Sequence, residues 1–438
     1  MAVAASQSMW WVRETPTASH EKAGGTVAFA AVVLFTCVLL LSPQAWFPAL
    51  KPLRIAFLAG GLAAASLLWE RWRERTPLGL TREIVICFLL LAWTFMTLPL
   101  SYWPGGSVAT LTDIYIKAVI VFWLLANVIT TERRLQLIRN FLILCSVPLA
   151  VTAVKNFVTG SFLGDAGVVA RIAGYGQGLS ANPNDLALML NLMLPLSIAS
   201  FLSAKSRSMS TLLLVVTGVN VIGVVVTFCR AGFLGLATIG TVYFLKMVRR
   251  RGADRAWAFA LAIAALVALP MLPSNYFERV ATIANIHADP TGSSQIRWRD
   301  TVAAMHFVFD HPIVGAGLGM DVLALNQVRG EKWYAVHNVY LQYAVDLGLP
   351  GALLFILLLL GTLKGARSSR KRLAQLPEKR ELFLLAEALE ISLIVFAISG
   401  FFYPVAYNFY FYYMGGLALA VRAVTQQALS TTSWRSNS

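Results

Sequence analysis

Residues 84–101 read IVICFLLLAWTFMTLPLS, a run of 18 residues without a charged side chain. An α-helix of this length is long enough to cross the hydrocarbon core of a bilayer, which is about 30 Å thick. Arginines precede the run, at Arg71, Arg73, Arg75 and Arg82, as in spans whose first end faces the cytoplasm. The run therefore predicts a transmembrane helix.

Comparable apolar runs recur from Val27 to the end of the chain. They predict about twelve transmembrane helices, centred on 27–46, 54–70, 84–101, 113–130, 136–157, 183–203, 210–228, 231–247, 255–273, 338–363, 382–401 and 404–424. Hydrophobic residues make up 58% of the 438 residues and charged residues only 13%, too little charge to cover a soluble protein of this size. The predicted fold class is all-α, a polytopic membrane helical bundle.

The basic residues indicate the orientation of this bundle. The formal net charge is +15, but most Lys and Arg lie in short loops on one side of the predicted spans, including the run at 364–380. That side is then cytoplasmic, with both the N- and C-termini on it. The polar segment before the first span lacks a small-residue cleavage site and is interpreted as an uncleaved tail. No nucleic-acid-binding signature accompanies the charge, so no nucleic acid partner is expected.

Two long loops face the other side, at about 159–182 and at 274–337. They divide the chain into 1–273 with nine spans, the large loop 274–337, and 338–438 with three spans and a cytoplasmic tail. Long loops on a bundle with short connections are more often functional than incidental. Within the large loop, the sequence predicts a helix capped by Ser293 or Ser294 and ended by Pro312, lying at the membrane surface or over the mouth of the bundle.

Four residues in or beside these outward segments are candidates for chemistry: Arg171, Arg230, Arg297 and His337. Arg230 lies in the tight outward turn TFCRAG of residues 227–232. It is either a snorkelling arginine at the end of a span or a functional residue, and the positive-inside rule disfavours the first.

Arg171 precedes a glycine-rich stretch and the sequence Asn182-Pro183-Asn184-Asp185, which opens the sixth span. The alternative to a ligand-binding segment is a flexible loop followed by a helix cap, which this sequence forms with Pro in the first helical turn, and Asp185 is expected to be a cap rather than a ligand. His337 begins the tenth span beside Asn338, which is placed to cap the helix or orient the ring. A structural histidine bonded to the backbone is the alternative, and His287, His306 and His311 are weaker candidates.

Motifs of metal and nucleotide chemistry are missing from the sequence. There is no HExxH, no DxD, no P-loop and no Rossmann fingerprint. The cysteines lie in or at the edge of apolar spans without a CxxC pair, at Cys37, Cys87, Cys145 and Cys229, so neither a zinc site nor a disulfide framework is suggested. We therefore expect no metal and no cofactor.

Residues 297–351 resemble the signature region of the O-antigen ligase and polymerase superfamily. The matching residues are Arg297, HPIVGAGLG at 311–319, HNVYLQ at 337–342 and GLPG at 348–351. Upstream, Arg171 with Asn182 and Asn184, and the turn at Arg230, fit the same pattern. Cys229 and Ala231 replace the Ser and Gly that often flank this arginine in the family.

The resemblance implies an O-antigen ligase of the bacterial inner membrane with a periplasmic active site. Such an enzyme transfers O-antigen from undecaprenyl diphosphate to a sugar hydroxyl of lipid A-core, without metal. With inversion at the anomeric carbon, no pair of carboxylates is needed. Under this implication Arg171, Arg230 and Arg297 bind the diphosphate and His337 is the base, with support from Asn338, Asn182 and Asn184.

Two other functions compete with this one. An O-antigen polymerase shares the donor site, and no residue separates it from a ligase. A lipid-linked glycan transporter predicts more polar residues deep within spans, and repeats with broken helices. Aromatic residues at 401–413 are interpreted as an interfacial belt rather than a sugar-stacking surface.

Overall fold

A computed structural model describes residues 25–50, 52–163, 171–175, 178–250, 255–257, 259–260, 262–263, 292–329 and 335–436. In these ranges the regular structure is helical, with an isolated bridge between Leu163 and Arg171. The longer helices are α1 Thr26–Leu41, α2 Ile55–Glu74, α3 Arg82–Thr97, α4 Pro104–Thr110, α5 Ile116–Val128, α6 Glu132–Val158, α7 Pro183–Ser203, α8 Arg207–Val225, α9 Arg230–Val248, α10 Ser293–Asp310, α11 Asp321–Arg329, α12 Val339–Leu373, α13 Arg380–Ser399 and α14 Phe409–Ser436.

Eight helical segments among the described residues are long and apolar enough to cross a membrane. They are Arg82–Leu100, Pro104–Val128, Glu132–Val158, Pro183–Ser203, Arg207–Val225, Arg230–Val248, Val339–Leu373 and Pro377–Ser399. The predicted all-α, multi-pass class is thus confirmed. The first predicted span is the shorter apolar helix α1, and the second and twelfth coincide with α2 and α14, which are not among the eight.

The count of twelve spans therefore stays a prediction. The ninth span, predicted at 255–273, lies largely outside the described residues. The same holds for the first part of the large loop, 274–291, and for His287.

Two boundaries differ from those predicted. The fourth span begins at Pro104 rather than near 113, and a π-helical turn at Leu111–Tyr115 joins α4 to α5. The basic run at 364–380 is not a loop, because α12 continues through it to Leu373. Lys and Arg are good helix formers, and Arg370 is held by Glu390 of α13 at 2.6 Å between Nε and Oε2.

One predicted helix cap is confirmed in part and another is wrong. The sequence Asn182-Pro183-Asn184-Asp185 caps α7 as predicted, but the capping residue is Asn182 rather than Asp185, since the Asn182 Oδ1 accepts a hydrogen bond from the Asn184 backbone N–H at 2.9 Å. Pro183 then occupies the first helical position, where its missing N–H has no consequence. The helix predicted after Ser293 is present as α10, but its N-cap is Gly292, which has φ 66° and makes no side-chain cap bond.

The aromatic run before and within α14 packs into the bundle. Most of its members are buried: Tyr403, Tyr407, Tyr410, Phe411, Tyr412 and Tyr413. Several of their hydroxyls have partners inside the protein: Tyr412 bonds Tyr343 at 2.8 Å, Tyr407 donates to Asp346 at 3.0 Å and Tyr413 bonds Thr36 at 2.7 Å. The interfacial belt is therefore wrong for these residues, and only Phe401 and Phe402 of the run are exposed.

A break at Gly348 divides α12, and the segment at 311–319 is hydrogen-bonded to the helix on both sides of it. Gly348 has φ 68°, which interrupts the helical backbone. Three backbone N–H groups bond across the break: Ala316 to Val345 O (2.8 Å), Gly317 to Asp346 O (2.9 Å) and Leu349 to Pro312 O (2.8 Å). A Cβ on Gly315 would lie 2.2 Å from Val345 O. The glycines thus allow one backbone to lie against another, and the break sits close to the start of α12.

Candidate functional site

Arg171 lies in the segment between α6 and α7, and contacts on both sides hold it. Its backbone exchanges hydrogen bonds with Leu163, at 2.7 Å from Leu163 N to Arg171 O and 3.1 Å in the other direction. Asn156, near the end of α6, donates its Nδ2 to the carbonyls of Ala173 (2.9 Å) and Gly174 (3.2 Å). The backbone around Arg171 is therefore fixed to a membrane helix.

Asn184 joins Arg171 to the turn that carries Arg230. The guanidinium Nη2 of Arg171 donates to Asn184 Oδ1 at 2.5 Å. The same oxygen accepts from Cys229 Sγ at 3.0 Å. Because Cys229 also caps α9, accepting from Gly232 N, the starts of α7 and α9 are held together at this point.

Arg230 is the first residue of α9 and reaches toward α10. Its Nη1 donates to Ser294 Oγ at 2.6 Å. The guanidinium is therefore engaged by the helix of the large loop, and the contact ties that helix to the bundle.

Arg297 lies one turn further along α10. Burial is the main factor that lowers its pKa, and the positive charge of Arg230 is the next, with Arg171 contributing a further repulsion. Cys229 and Tyr403 are close enough to act in the opposite direction. The guanidinium groups of all three candidate arginines thus share one electrostatic environment.

His337 precedes α12 and faces the same arginines. Its Nδ1 lies 2.9 Å from Ala335 O. A carbonyl only accepts, so Nδ1 carries the proton and Nε2 keeps a free lone pair. Burial, together with the positive charges of Arg297 and Arg171, lowers the pKa of His337 to about 4. The imidazole is therefore neutral near pH 7.

Two polar side chains hold the backbone on either side of His337. Asn338 caps α12, accepting from the backbone N–H groups of Tyr340 (3.0 Å) and Leu341 (3.1 Å). Asp321, at the start of α11, accepts from the Val336 N–H at 2.8 Å. Burial raises the pKa of Asp321, while hydrogen bonds from Val336 and Gln342 oppose that shift. The residues on both sides of His337 are thus held by side-chain acceptors.

Four polypeptide segments bring these groups to one end of the bundle. Helices α7, α9 and α12 all begin there, so the positive ends of their backbone dipoles add to the three arginines. Arg171 Nε is buried without a hydrogen-bond partner among the described residues. Across the same ranges, no carboxylate forms an ion pair with Arg171 or Arg297. The positive charges of Arg171 and Arg297, together with the helix starts, favour an anionic ligand.

The weaker candidate histidines lie elsewhere or have other partners. His306 is exposed on α10. His311 follows the end of α10, stacks on Phe307 with ring centroids 4.5 Å apart and contacts Tyr102 at 3.4 Å. In the described part of the chain, no three His, Cys, Asp or Glu residues are grouped so that they could hold a metal ion.

Several supporting residues were not predicted from the sequence. Asn156, Ser294 and Asp321 bond to segments distant in sequence, so no local pattern marks them. Cys229 had one visible signal, as the residue that departs from the flanking serine expected before Arg230. Tyr403 lies 3.5 Å from Cys229 Sγ, and nothing in its own segment indicates that contact.

The fold and this site define a class: a multi-pass helical membrane protein with a group of arginines and a neutral histidine at one end. Residues 189–356 match the model of a family described as O-antigen ligase. This match confirms the resemblance to the O-antigen ligase superfamily over the region that carries Arg230, Arg297 and His337. No curated protein matches the chain.

Proposed function

We propose that the protein is an O-antigen ligase that transfers O-antigen polysaccharide from undecaprenyl diphosphate to a sugar hydroxyl of lipid A-core. The observation that carries the proposal is the meeting of Arg171, Arg230 and Arg297 with His337. Three cations suit a diphosphate, and a neutral histidine beside them suits the removal of a proton.

The proposed reaction takes place at the periplasmic face of the inner membrane. The basic loops support this orientation, because the positive-inside rule puts them, and both termini, in the cytoplasm. The starts of α7, α9 and α12 then face the periplasm.

Arginine forks suit the leaving group of this reaction. As the bond between the anomeric carbon and the diphosphate oxygen breaks, its electron pair stays on the diphosphate and negative charge builds there. Guanidinium groups neutralise that charge, and planar, bidentate hydrogen bonding orients the phosphate oxygens. The buried Nε of Arg171, which has no partner among the described residues, supplies a donor that a diphosphate oxygen would satisfy.

An apolar cleft beside the site suits the lipid part of the donor. It is an open cleft between α1, α6, α7 and α14. Its lining includes Leu39, Leu40, Met189, Leu192, Met193 and Tyr410. Tyr410 also lies close to Asp185, the neighbour of Asn184. A lipid chain in this cleft would lie along α7, whose first turn contacts Arg171 through Asn184.

His337 would activate the acceptor. Its unprotonated Nε2 takes the proton of the acceptor hydroxyl as that oxygen attacks the anomeric carbon, and the imidazolium then gives the proton to water. General base assistance of this kind contributes roughly 10²–10⁴ in rate. Attack opposite the diphosphate inverts the anomeric centre.

Donor binding strengthens this base. The positive charges of Arg297 and Arg171 contribute to the low pKa of His337. A bound diphosphate offsets those charges, so the pKa rises toward its usual value of about 6.5 and the base becomes stronger when the donor is in place.

A gel of lipopolysaccharide from a null strain tests the proposal. The strain carries wild-type protein, His337→Ala or His306→Ala as its only copy; His306 is an exposed histidine outside the site and serves as the matched control. We expect bare core with His337→Ala, polymer retained on the carrier, and a normal ladder with His306→Ala.

Other outcomes distinguish the alternatives. Core bearing a single repeat unit in the null strain would identify a polymerase. A null strain that accumulates donor on the cytoplasmic face would identify a transporter. A normal ladder with His337→Ala at equal protein level would exclude His337 as the base.

A further inference from the structure

Helix α10 presents three different faces. One face is buried against the bundle through Asp300, Ala304 and Phe307, and Arg297 lies on that side. A second face is exposed and polar, with Arg299, His306 and Asp310. The third face is exposed and apolar.

The apolar face is a narrow stripe of large side chains. Trp298 is 60% exposed, Met305 38% and Phe309 81%. Their spacings of seven and four residues place them on one line along the helix. The exposed polar residues lie on a different face. The apolar side chains are therefore grouped together rather than scattered over a solvent-facing surface.

The stripe continues into the lipid-facing surface of α12. Ile313, just after α10, is 64% exposed. The next residue along this surface is Leu349, whose backbone N–H bonds Pro312 O at 2.8 Å. From there the exposed residues Leu353, Leu357 and Leu360 follow at helical spacing along a predicted membrane span. One apolar surface thus runs from the span onto α10.

We propose that the stripe of Trp298, Met305 and Phe309 is inserted at the boundary between headgroups and acyl chains, in the leaflet on the side of the site. Amphipathic helices that lie in the membrane plane have Trp and Phe on the lipid face and charged residues on the other, and sink about 5–10 Å. Phe309 and Ile313 then lie where the lipid-facing surface of α12 meets the headgroups.

This arrangement has a consequence for the site. Arg297 is adjacent in sequence to Trp298 but lies on the buried side of α10. Membrane contact by Trp298 therefore holds Arg297 near headgroup depth, which is also the depth of a phosphate attached to a membrane lipid. The inference uses only the membrane position of α12, so it stands whether or not the protein is a ligase.

Fluorescent labelling in nanodiscs tests the insertion. Full-length Phe309→Cys and Asp310→Cys are labelled with an environment-sensitive dye and placed in phosphatidylethanolamine–phosphatidylglycerol nanodiscs, some lipids bearing a nitroxide near the top of the acyl chain. Three native cysteines are buried and Cys37 is partly buried, so wild-type protein serves as the labelling background. Trp298→Cys and His306→Cys form a second matched pair.

The labels at 309 and 298 should emit at shorter wavelength and be quenched more by the lipid nitroxide than by aqueous iodide. The labels at 310 and 306 should show the reverse. Equal iodide quenching at 309 and 310, with no nitroxide effect, would overturn the proposal. Protection of 309 from iodide only after lipopolysaccharide core oligosaccharide is added would also overturn it, and would identify a sugar-binding surface.

Discussion

Asn184 accepts a hydrogen bond from Arg171, with 2.5 Å between Nη2 and Oδ1. Arg171 precedes α7 and Asn184 is in its first turn, so the bond fixes the guanidinium against the start of a membrane helix. The shared contact of Asn184 with Cys229 at 3.0 Å extends this link to the start of α9. The positions of two candidate diphosphate ligands therefore depend on one amide.

Asn184→Ala should weaken donor binding more than it slows the bound complex. A hydrogen bond to a charged group contributes about 1.5–3 kcal/mol, so we expect KM for the lipid-linked donor to rise by about 10–100-fold. Initial rates of purified enzyme at varied donor concentration measure this. Asn182→Ser is the control, because serine also caps a helix, and it should leave KM nearly unchanged. An unaltered KM with Asn184→Ala would remove this role.

The pH dependence of the reaction should differ between free and donor-bound enzyme. His337 is a base only when unprotonated, so activity is lost as the pH falls through its pKa, which is about 4 in the free protein. The acid limb of kcat/KM should therefore lie near 4, and that of kcat at higher pH, because a bound diphosphate offsets the arginine charges. Coincident acid limbs in the two profiles would contradict the coupling.

Arg297→Met should change both the rate and the acid limb. Loss of one donor to the developing charge costs roughly 10²–10³ in kcat. Because Arg297 contributes to the lowered pKa of His337, its removal should also move the acid limb of kcat/KM to higher pH. Arg299→Met, on the exposed face of α10, is the control. If kcat falls but the acid limb of kcat/KM does not move, Arg297 binds the donor without influencing the pKa of His337.

Asp321 is expected to act as a positioning residue for His337. Asp321→Leu removes the acceptor for the Val336 N–H, so kcat should fall while KM for the donor stays constant. Asp321→Asn keeps an acceptor oxygen and should restore most of kcat. Steady-state kinetics, with thermal unfolding to verify folding, measure both variants. If Asp321→Leu and Asp321→Asn lower kcat equally, or if KM for the donor also rises, the substitutions disrupt the site in general instead.

Gly348→Ala should destabilise the protein. Its φ of 68° is unfavourable for any residue with a Cβ, and that atom would lie 2.2 Å from Ile313 O. Strain of this kind costs about 1–3 kcal/mol, which a lower thermal midpoint in detergent would report. Gly218→Ala in α8 has open space around the new Cβ and should leave the midpoint unchanged or raised. Equal thermal midpoints for Gly348→Ala and Gly218→Ala would show that the backbone at Gly348 does not require a glycine.

Much of this arrangement follows from the sequence because membranes restrict where charge occurs. The positive-inside rule disfavours an arginine such as Arg230 at the predicted outward start of a span, so its position was itself a signal. Arg171 and His337 also precede spans that begin on that side. Their roles in chemistry stay predictions, whereas their proximity is visible in the structure.

The rest depends on contacts that no local pattern encodes. The burial of Tyr412 against Tyr343 distinguishes a core aromatic from a membrane-belt aromatic, and both have the same sequence signature. The break at Gly348 is stabilised by residues 312–317, about thirty positions earlier. The extension of α12 to Leu373 depends on Glu390 of another helix.

The three arginines should also bind the product of the proposed reaction. In the proposed reaction, the groups that draw the diphosphate into the site and stabilise its departure from the sugar still face it afterwards, now with one more negative charge. The spent carrier should therefore bind the free enzyme tightly and act as a strong product inhibitor, competitive with the donor.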